Sequence, residues 1–242
     1  MTHLASAPAE PMETYGGAVS GSPDIAQVAA LLGDPSRAAI CLALLDGRFH
    51  TAGELAHAAG VAPSTASEHL ARLLDGRLVH ATRQGRHRYY GLAGPDVAAA
   101  LEALGVLARP TPVRSLRQAT TDRRLRAGRT CYDHLAGALG VALTDALVGL
   151  GVITPGFGLG DLAPLADLDL ALPSGRRPLV LPCLDWTERR HHAAGALPAA
   201  MTRRFLDLEW LERVPGSRAV RVTDVGRPHL TEIFGEHALT AA

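Results

Sequence analysis

Gly60-Val61-Ala62-Pro63-Ser64-Thr65-Ala66-Ser67-Glu68-His69-Leu70-Ala71-Arg72-Leu73-Leu74 decides how this 242-residue chain is read. Within residues 64–74, Ala66, Leu70, Leu73 and Leu74 recur at i, i+4, i+7 and i+8, which makes one apolar stripe of a helix. The other face carries Ser64, Thr65, Ser67, Glu68, His69 and Arg72. Residues 60–63 form a tight turn, and a short helix over 53–59, capped by Thr51, leads into it. Two helices joined in this way have helix-turn-helix spacing. Upstream, Asp34-Pro35-Ser36 opens another helix, because Asp accepts from free first-turn N–H groups and Pro fits the first turn. Ala38, Ile40, Leu42, Leu44 and Leu45 give that helix its apolar residues, and Gly47 ends it. Downstream, residues 78–83, a Gln84-Gly85 turn and residues 86–92 read as a β-hairpin wing. A helix over 95–108 follows, with Val97, Leu101, Leu104 and Leu107 on a stripe suited to packing against a symmetry mate.

Formal charge balances, with 24 arginines and no lysine against 24 acids, so any nucleic-acid footprint must come from local charge. Two stretches supply it. Arg72, Arg77, Arg83, Arg86 and Arg88 stand against Asp75 alone, and residues 109–129 hold seven arginines against Asp122 alone. Three cysteines, Cys41, Cys131 and Cys183, are too few and too scattered for a disulfide framework. The apolar run over 139–152 is interrupted and falls short of the ~20 residues of a membrane-spanning helix. Residues 1–23 are rich in Ala, Pro, Gly and Ser and lack signal-peptide features, so they are expected to be a disordered tail of a cytoplasmic protein.

Leu32-Gly33-Asp34-Pro35-Ser36-Arg37, Glu54-Leu55-Ala56, Ser64-Thr65-Ala66-Ser67-Glu68-His69-Leu70 and Gly85-Arg86-His87-Arg88-Tyr89-Tyr90 together resemble the ArsR/SmtB family of repressors. The resemblance implies a homodimer on a double-stranded, pseudo-palindromic operator. DNA contacts are expected from Ser64, Thr65, Ser67, Glu68, His69 and Arg72 on the recognition helix, and from Gln84, Arg86, His87 and Arg88 on the wing. Small hydroxyl residues let a helix approach the major groove closely, and Arg reads guanine or phosphate. In metal-sensing members a Cys-x-Cys pair precedes the recognition helix, or carboxylates and histidines line the dimerisation helix. Here Glu54-Leu55-Ala56-His57-Ala58-Ala59 occupies the first place, and Asp96 and Glu102 alone the second, so both familiar sites are missing. Cys41, set among Ala and Leu, reads as a buried small hydrophobe.

The second half is less explicit. Residues 109–129 read as a basic connector that becomes helical near Ser115, and 130–152 as a helix capped by Thr130. Residues 151–160 form a glycine-rich loop; it follows a helix and not a strand, which argues against nucleotide binding. A hairpin is expected around Pro173-Ser174-Gly175, helix over much of 187–208, a turn at 213–218 between two short extended stretches, and a last helix from Asp224. Helix, hairpin and helix in that order resemble a second winged helix. Arg129-Thr130-Cys131-Tyr132-Asp133-His134-Leu135-Ala136-Gly137 and Cys183-Leu184-Asp185-Trp186-Thr187-Glu188-Arg189 resemble segments of family members with the same extension.

Candidate effector residues in this half are Cys131, His134, Cys183, Asp185, His191 and His192. Two thiolates with imidazoles suit a soft metal or metalloid ion, with Cys131 and Cys183 as the thiolates. The same sulfurs would make a thiol switch if close enough. A small-molecule pocket with Trp186 and Tyr132, or plain core packing, remain open beside these. Cysteine-histidine pairs also suit a nucleophilic enzyme, but no oxyanion loop or nucleophile motif accompanies them, so no enzymatic activity is expected.

The chain is therefore expected to be mainly α with small β-hairpins. The expected order is a tail (1–23), a winged helix-turn-helix DNA-binding domain (24–108), a basic linker (109–129) and a winged-helix-like effector domain (130–242). The function that follows is a homodimeric transcriptional repressor released by a metal, oxidative or small-molecule effector, with no membrane partner. The alternative is a winged-helix interaction module without sequence-specific DNA binding.

Overall fold

The computed structural model describes residues 23–109, 112–173 and 176–239; the expected tail, apart from Pro23, lies outside them. The chain first runs through α1 (Ile25–Leu32), α2 (Pro35–Leu44), β1 (His50–Thr51), α3 (Ala52–Ala59) and α4 (Pro63–Asp75). β2 (Val79–Gln84), β3 (His87–Leu92) and α5 (Pro95–Leu107) follow. Local chemistry sets each boundary. Asp34 accepts from the N–H groups of Ser36 and Arg37 at the start of α2. The buried Arg37 guanidinium reaches back to the Leu31 and Ala30 carbonyls that end α1, satisfying acceptors a helix leaves unpaired. Thr51 and Glu54 form a reciprocal capping box on α3. Gly60, left-handed at φ 67°, closes that helix and starts the turn into α4.

Ile40, Leu44, Leu55, Leu70, Leu73, Val79, Leu92 and Leu101 bury together in the first core. β3 is the centre of a three-stranded antiparallel sheet between β1 and β2, with Arg83 opposite Arg88 and Gln84 opposite His87 beside the turn. On α5 the expected stripe divides. Leu101 joins this core, whereas Leu104 and Leu107 are 48% and 81% exposed.

The chain continues through α6 (Leu116–Ala127), β4 (Arg129–Cys131), β5 (His134–Ala136) and α7 (Gly137–Gly149). β6 (Leu181–Leu184), β7 (His191–Ala194), α8 (Ala196–Asp207), β8 (Leu211–Arg213), β9 (Val220–Val222) and α9 (Gly226–Phe234) complete it. Ser115 caps α6 as expected. Leu139, Leu143, Leu147, Leu197, Met201, Phe205, Leu230 and Phe234 make a second core. The α8, β8–β9, α9 order is compatible with the winged-helix reading, and the protein is mainly helical with small antiparallel hairpins.

Three expectations in this half need correction. Residues 130–152 are not one helix: a β4–β5 hairpin comes first, turning at Tyr132 (φ 62°), and α7 starts only at Gly137. Gly137 has φ 75°, and a Cβ there would meet the Arg126 carbonyl oxygen at 2.6 Å, so the chain leaves the strand where only glycine fits. His191 and His192 lie on β7, antiparallel to β6 with Cys183 opposite His192, and not in a helix. Residues 168–172 form no strand, and Ser174-Gly175 of the expected hairpin turn lies outside the described residues.

The two halves meet along a seam. The Tyr132 N–H donates to the Leu45 carbonyl at 2.8 Å, and Arg213 donates to the Asp46 carbonyl at 3.1 Å. Gly47 (φ 72°) lies so close to Tyr132 that a Cβ would fall 2.0 Å from its carbonyl oxygen. Trp186 packs on Gly105 of α5. Among the described residues no single helix is long and apolar enough to cross a membrane.

Candidate nucleic-acid interface and effector site

α4 buries Ala66, Leu70 and Leu73 and leaves Ser64, Ser67, Glu68 and Arg72 exposed, with Thr65 half-buried. Its N-cap, Ala62, has no side-chain oxygen to offer, so no side chain caps the first-turn N–H groups. Free N–H groups at a helix start attract phosphate. His69 differs from its neighbours: its side chain is 13% exposed and its Nε2 stands 3.9 Å from Asp34 Oδ1. That turns the ring toward the start of α2, away from the exposed face. At the wing, Gln84, Arg86, His87 and Arg88 are all exposed. Arg86 Nε donates to His87 Nε2 at 3.2 Å, and the Arg88 guanidinium lies 5.3 Å from the centre of the Tyr90 ring.

In the second half, the four strands of two hairpins carry four of the six candidate effector residues to one point. Cys131 on β4 and His134 on β5 are cross-strand partners, as are Cys183 on β6 and His192 on β7. All four are buried, and one ligand atom from each lies within 4.8 Å of every other. The two sulfurs are 3.9 Å apart, and the two Nε2 atoms 3.2 Å apart. Cys183 is held far below the ordinary thiol value, first by the Cys131 thiol donating to it, against burial, and then by His134 and His192. Cys131 is pushed well up by the same bond and by burial. For His134, burial works downward, but bonds to Asp133 and Cys183 prevail and raise it. The arrangement can hold a thiolate charge or a soft cation.

Asp185 and His191 stand elsewhere. Asp185 is fully buried and accepts from Gly137 N–H, Thr187 and Glu188 N–H, and from Arg129. Burial pushes its carboxyl up, but Arg129 and these donors prevail and hold it well below the usual carboxylate range. Its Oδ2 is 3.5 Å from His192 Nδ1, so it stands behind the cluster and not in it. His191 is exposed and turned toward Phe157, with ring centres 5.9 Å apart. Trp186 lies under Arg129, 5.0 Å from its guanidinium. Cys41 is fully buried, and burial raises its thiol to about 12.

A buried ionic chain escaped the sequence reading. Arg129, fully buried, reaches Glu102 at 3.2 Å and Asp185 at 3.0 Å, and Arg218 also reaches Glu102 at 2.5 Å. The available signal was Glu102 itself, a charge beside Leu101 in a helix that is apolar beyond Asp96 of its first turn. Its partners are 27 and 116 residues away.

A family model described as a helix-turn-helix domain matches residues 32–81. The uncharacterized HTH-type transcriptional regulator YdfF of Bacillus subtilis is 42% identical over 214 residues, covering 85% of this chain and 95% of that protein. The chain belongs to the HTH-type transcriptional regulators. The HTH-type regulator CmtR of Mycobacterium tuberculosis is 41% identical over 80 residues, 33% of this chain and 67% of CmtR. Among solved structures, the homodimeric winged helix-turn-helix DNA-binding domain of Mb0332 from Mycobacterium bovis, a possible ArsR-family transcriptional regulator, is 33% identical. It covers 37% of this chain and 89% of that one, with a TM-score of 0.32. The YdfF match spans both halves of this regulator, so the extension is shared with a relative and is not peculiar to this chain.

Proposed function

We propose that this regulator is a homodimeric repressor that grips duplex operator DNA with α4 and the β2–β3 wing and releases it when the C-terminal half takes up an effector. The exposed polar face of α4, with its uncapped start and the arginine wing beside it, carries the reading. Ser64, Thr65 and Ser67 are small enough to let the helix backbone approach the groove, and Arg72 reaches base edges or phosphate. Arg86 and Arg88 follow the adjacent backbone or minor groove. Dimerisation is supported by Leu104 and Leu107, apolar side chains that α5 leaves exposed. Residues 24–108 act as the DNA-binding unit, 109–129 as the connector and 130–242 as the effector unit.

The test is fluorescence anisotropy on the duplex upstream of the protein's own gene, over a salt series, for the wild type and Arg72→Ala/Arg86→Ala. The double variant is expected to bind more weakly and to lose about one unit of salt slope per phosphate contact removed. Equal affinity and slope would refute the assignment and favour an interaction module.

A further inference from the structure

The geometry points to Cys131, His134, Cys183 and His192 as the four ligands of one tetrahedral zinc-class ion, a site built where β4–β5 meets β6–β7. In a regular tetrahedron with Zn–S about 2.3 Å and Zn–N about 2.0–2.1 Å, the edges are about 3.8 Å between sulfurs and about 3.3–3.4 Å between nitrogens. The sulfurs here are 3.9 Å apart and the nitrogens 3.2 Å. A disulfide would need its sulfurs at about 2.05 Å.

The surroundings of the two rings make the same case independently. His134 Nδ1 faces Asp133 Oδ1 at 3.3 Å, and His192 Nδ1 faces Asp185 Oδ2 at 3.5 Å. His192 Nδ1 is buried and has no hydrogen bond of good geometry. A carboxylate beside each Nδ1 is the arrangement found behind metal-bound histidines, where it holds the ring proton on the far side from the ion. An ion taking the place of the Nε2 protons would then meet both Nε2 lone pairs and both sulfurs at one point. A divalent ion also neutralises two buried thiolates, which are costly alone, and its binding releases to solvent the protons that the four ligand atoms share without it. Four protein ligands leave no open position, so the site is structural or regulatory and not catalytic.

The site also reaches the DNA-binding half. Asp185, behind His192, is held by Arg129, which is held by Glu102 on α5, and Tyr132, next to Cys131, bonds to Leu45 at the end of α2. Occupancy thereby sets how β4–β7 seat against α5 and α2. This regulatory half of the assignment rests on the repressor reading above; the metal site does not.

The full-length protein, purified with reductant, is expected to carry one zinc per chain by elemental analysis. Replacement with Co2+ should give a tetrahedral visible spectrum with thiolate charge-transfer bands. Cys131→Ser and Cys183→Ser should each lose the ion and weaken those bands, whereas Cys41→Ser and His191→Gln should keep both. Because a ligand variant can fail to fold, Asp133→Asn gives a milder reading, with zinc affinity about 10–100-fold lower by chelator competition. The metal site is overturned if reduced protein binds neither ion, if the Co2+ spectrum is unchanged in both cysteine variants, or if air oxidation joins Cys131 to Cys183 in the presence of stoichiometric zinc. Operator binding is scored separately, by anisotropy with zinc and with chelator. A zinc-loaded protein whose DNA affinity ignores chelation refutes the regulatory half alone, and a reduced protein that takes up neither Zn2+ nor Co2+ yet binds DNA in a salt-sensitive way refutes the metal and keeps the repressor.

Discussion

Arg129→Met removes the cation at the centre of the buried chain while nearly conserving volume. Glu102 keeps Arg218 at 2.5 Å, but Asp185 loses the partner at 3.0 Å that does most to keep its carboxyl low. A buried charge stripped of its partner costs about 3–5 kcal/mol. At roughly 2–4 °C per kcal/mol for a chain of this size, the melting temperature should fall by roughly 6–20 °C. Urea unfolding of wild type and variant at neutral pH reads the loss directly. The pH dependence supplies the mechanism. In the variant Asp185 is unpaired and takes up a proton more readily, so the deficit should shrink as pH falls below about 5 toward the ordinary carboxylate range. Arg129→Met/Asp185→Asn should recover part of the loss, because the carboxylate left unpaired is neutralised at nearly the same volume while Glu102 keeps Arg218. A deficit under about 1 kcal/mol that does not change with pH would refute this account of the chain.

Three further outcomes follow from other parts of the structure. Gly47→Ala must place its Cβ 2.0 Å from the Tyr132 carbonyl oxygen and should open the seam, costing more than the about 1–2 kcal/mol of a left-handed non-glycine residue; Gly60→Ala, at φ 67° with open space around it, should cost only that, and equal melting temperatures would show the seam to be loose. For Asp46, burial raises the carboxyl, but bonds from His50 and Arg48 prevail and hold it below its ordinary value, so its stabilisation is present above about pH 4 and lost as pH falls through the folded value. Asp46→Asn should therefore destabilise by about 1–3 kcal/mol at neutral pH and progressively less in acid, and a deficit that grows in acid would reverse the sign. Leu70→Ala, at a position fully buried in the first core, should cost about 2–5 kcal/mol, read as a lower urea midpoint, and an unchanged midpoint would mean that α4 is not seated there.

The first half was legible because its signals are local. Asp34-Pro35, Thr51 with Glu54, Gly60 and Pro63 each act within four residues, and α2, α3 and α4 begin or end where those residues require. The wing needed only the turn at Gly85, which has φ 60°. The second half failed where geometry depends on distant partners. Cys131, Leu135 and Leu139 recur at helical spacing, yet β4 is held by β5 and by the Arg218 carbonyl, which accepts from the Thr130 N–H at 2.9 Å. The turn at Tyr132 uses a left-handed non-glycine residue, a choice no local propensity announces. The effector residues were visible as types, but their convergence was not, since Cys131 and Cys183 are 52 residues apart in sequence. His69 was read from helix periodicity as outward-facing, and the N-cap of α2 draws it in.

The most direct test of the central claim is sedimentation of the full-length protein with the duplex upstream of its own gene, across a salt series. Two chains per duplex, with affinity falling linearly in log–log salt, is the expected result. A single chain per duplex with salt-indifferent affinity, or no complex at low salt, would contradict it.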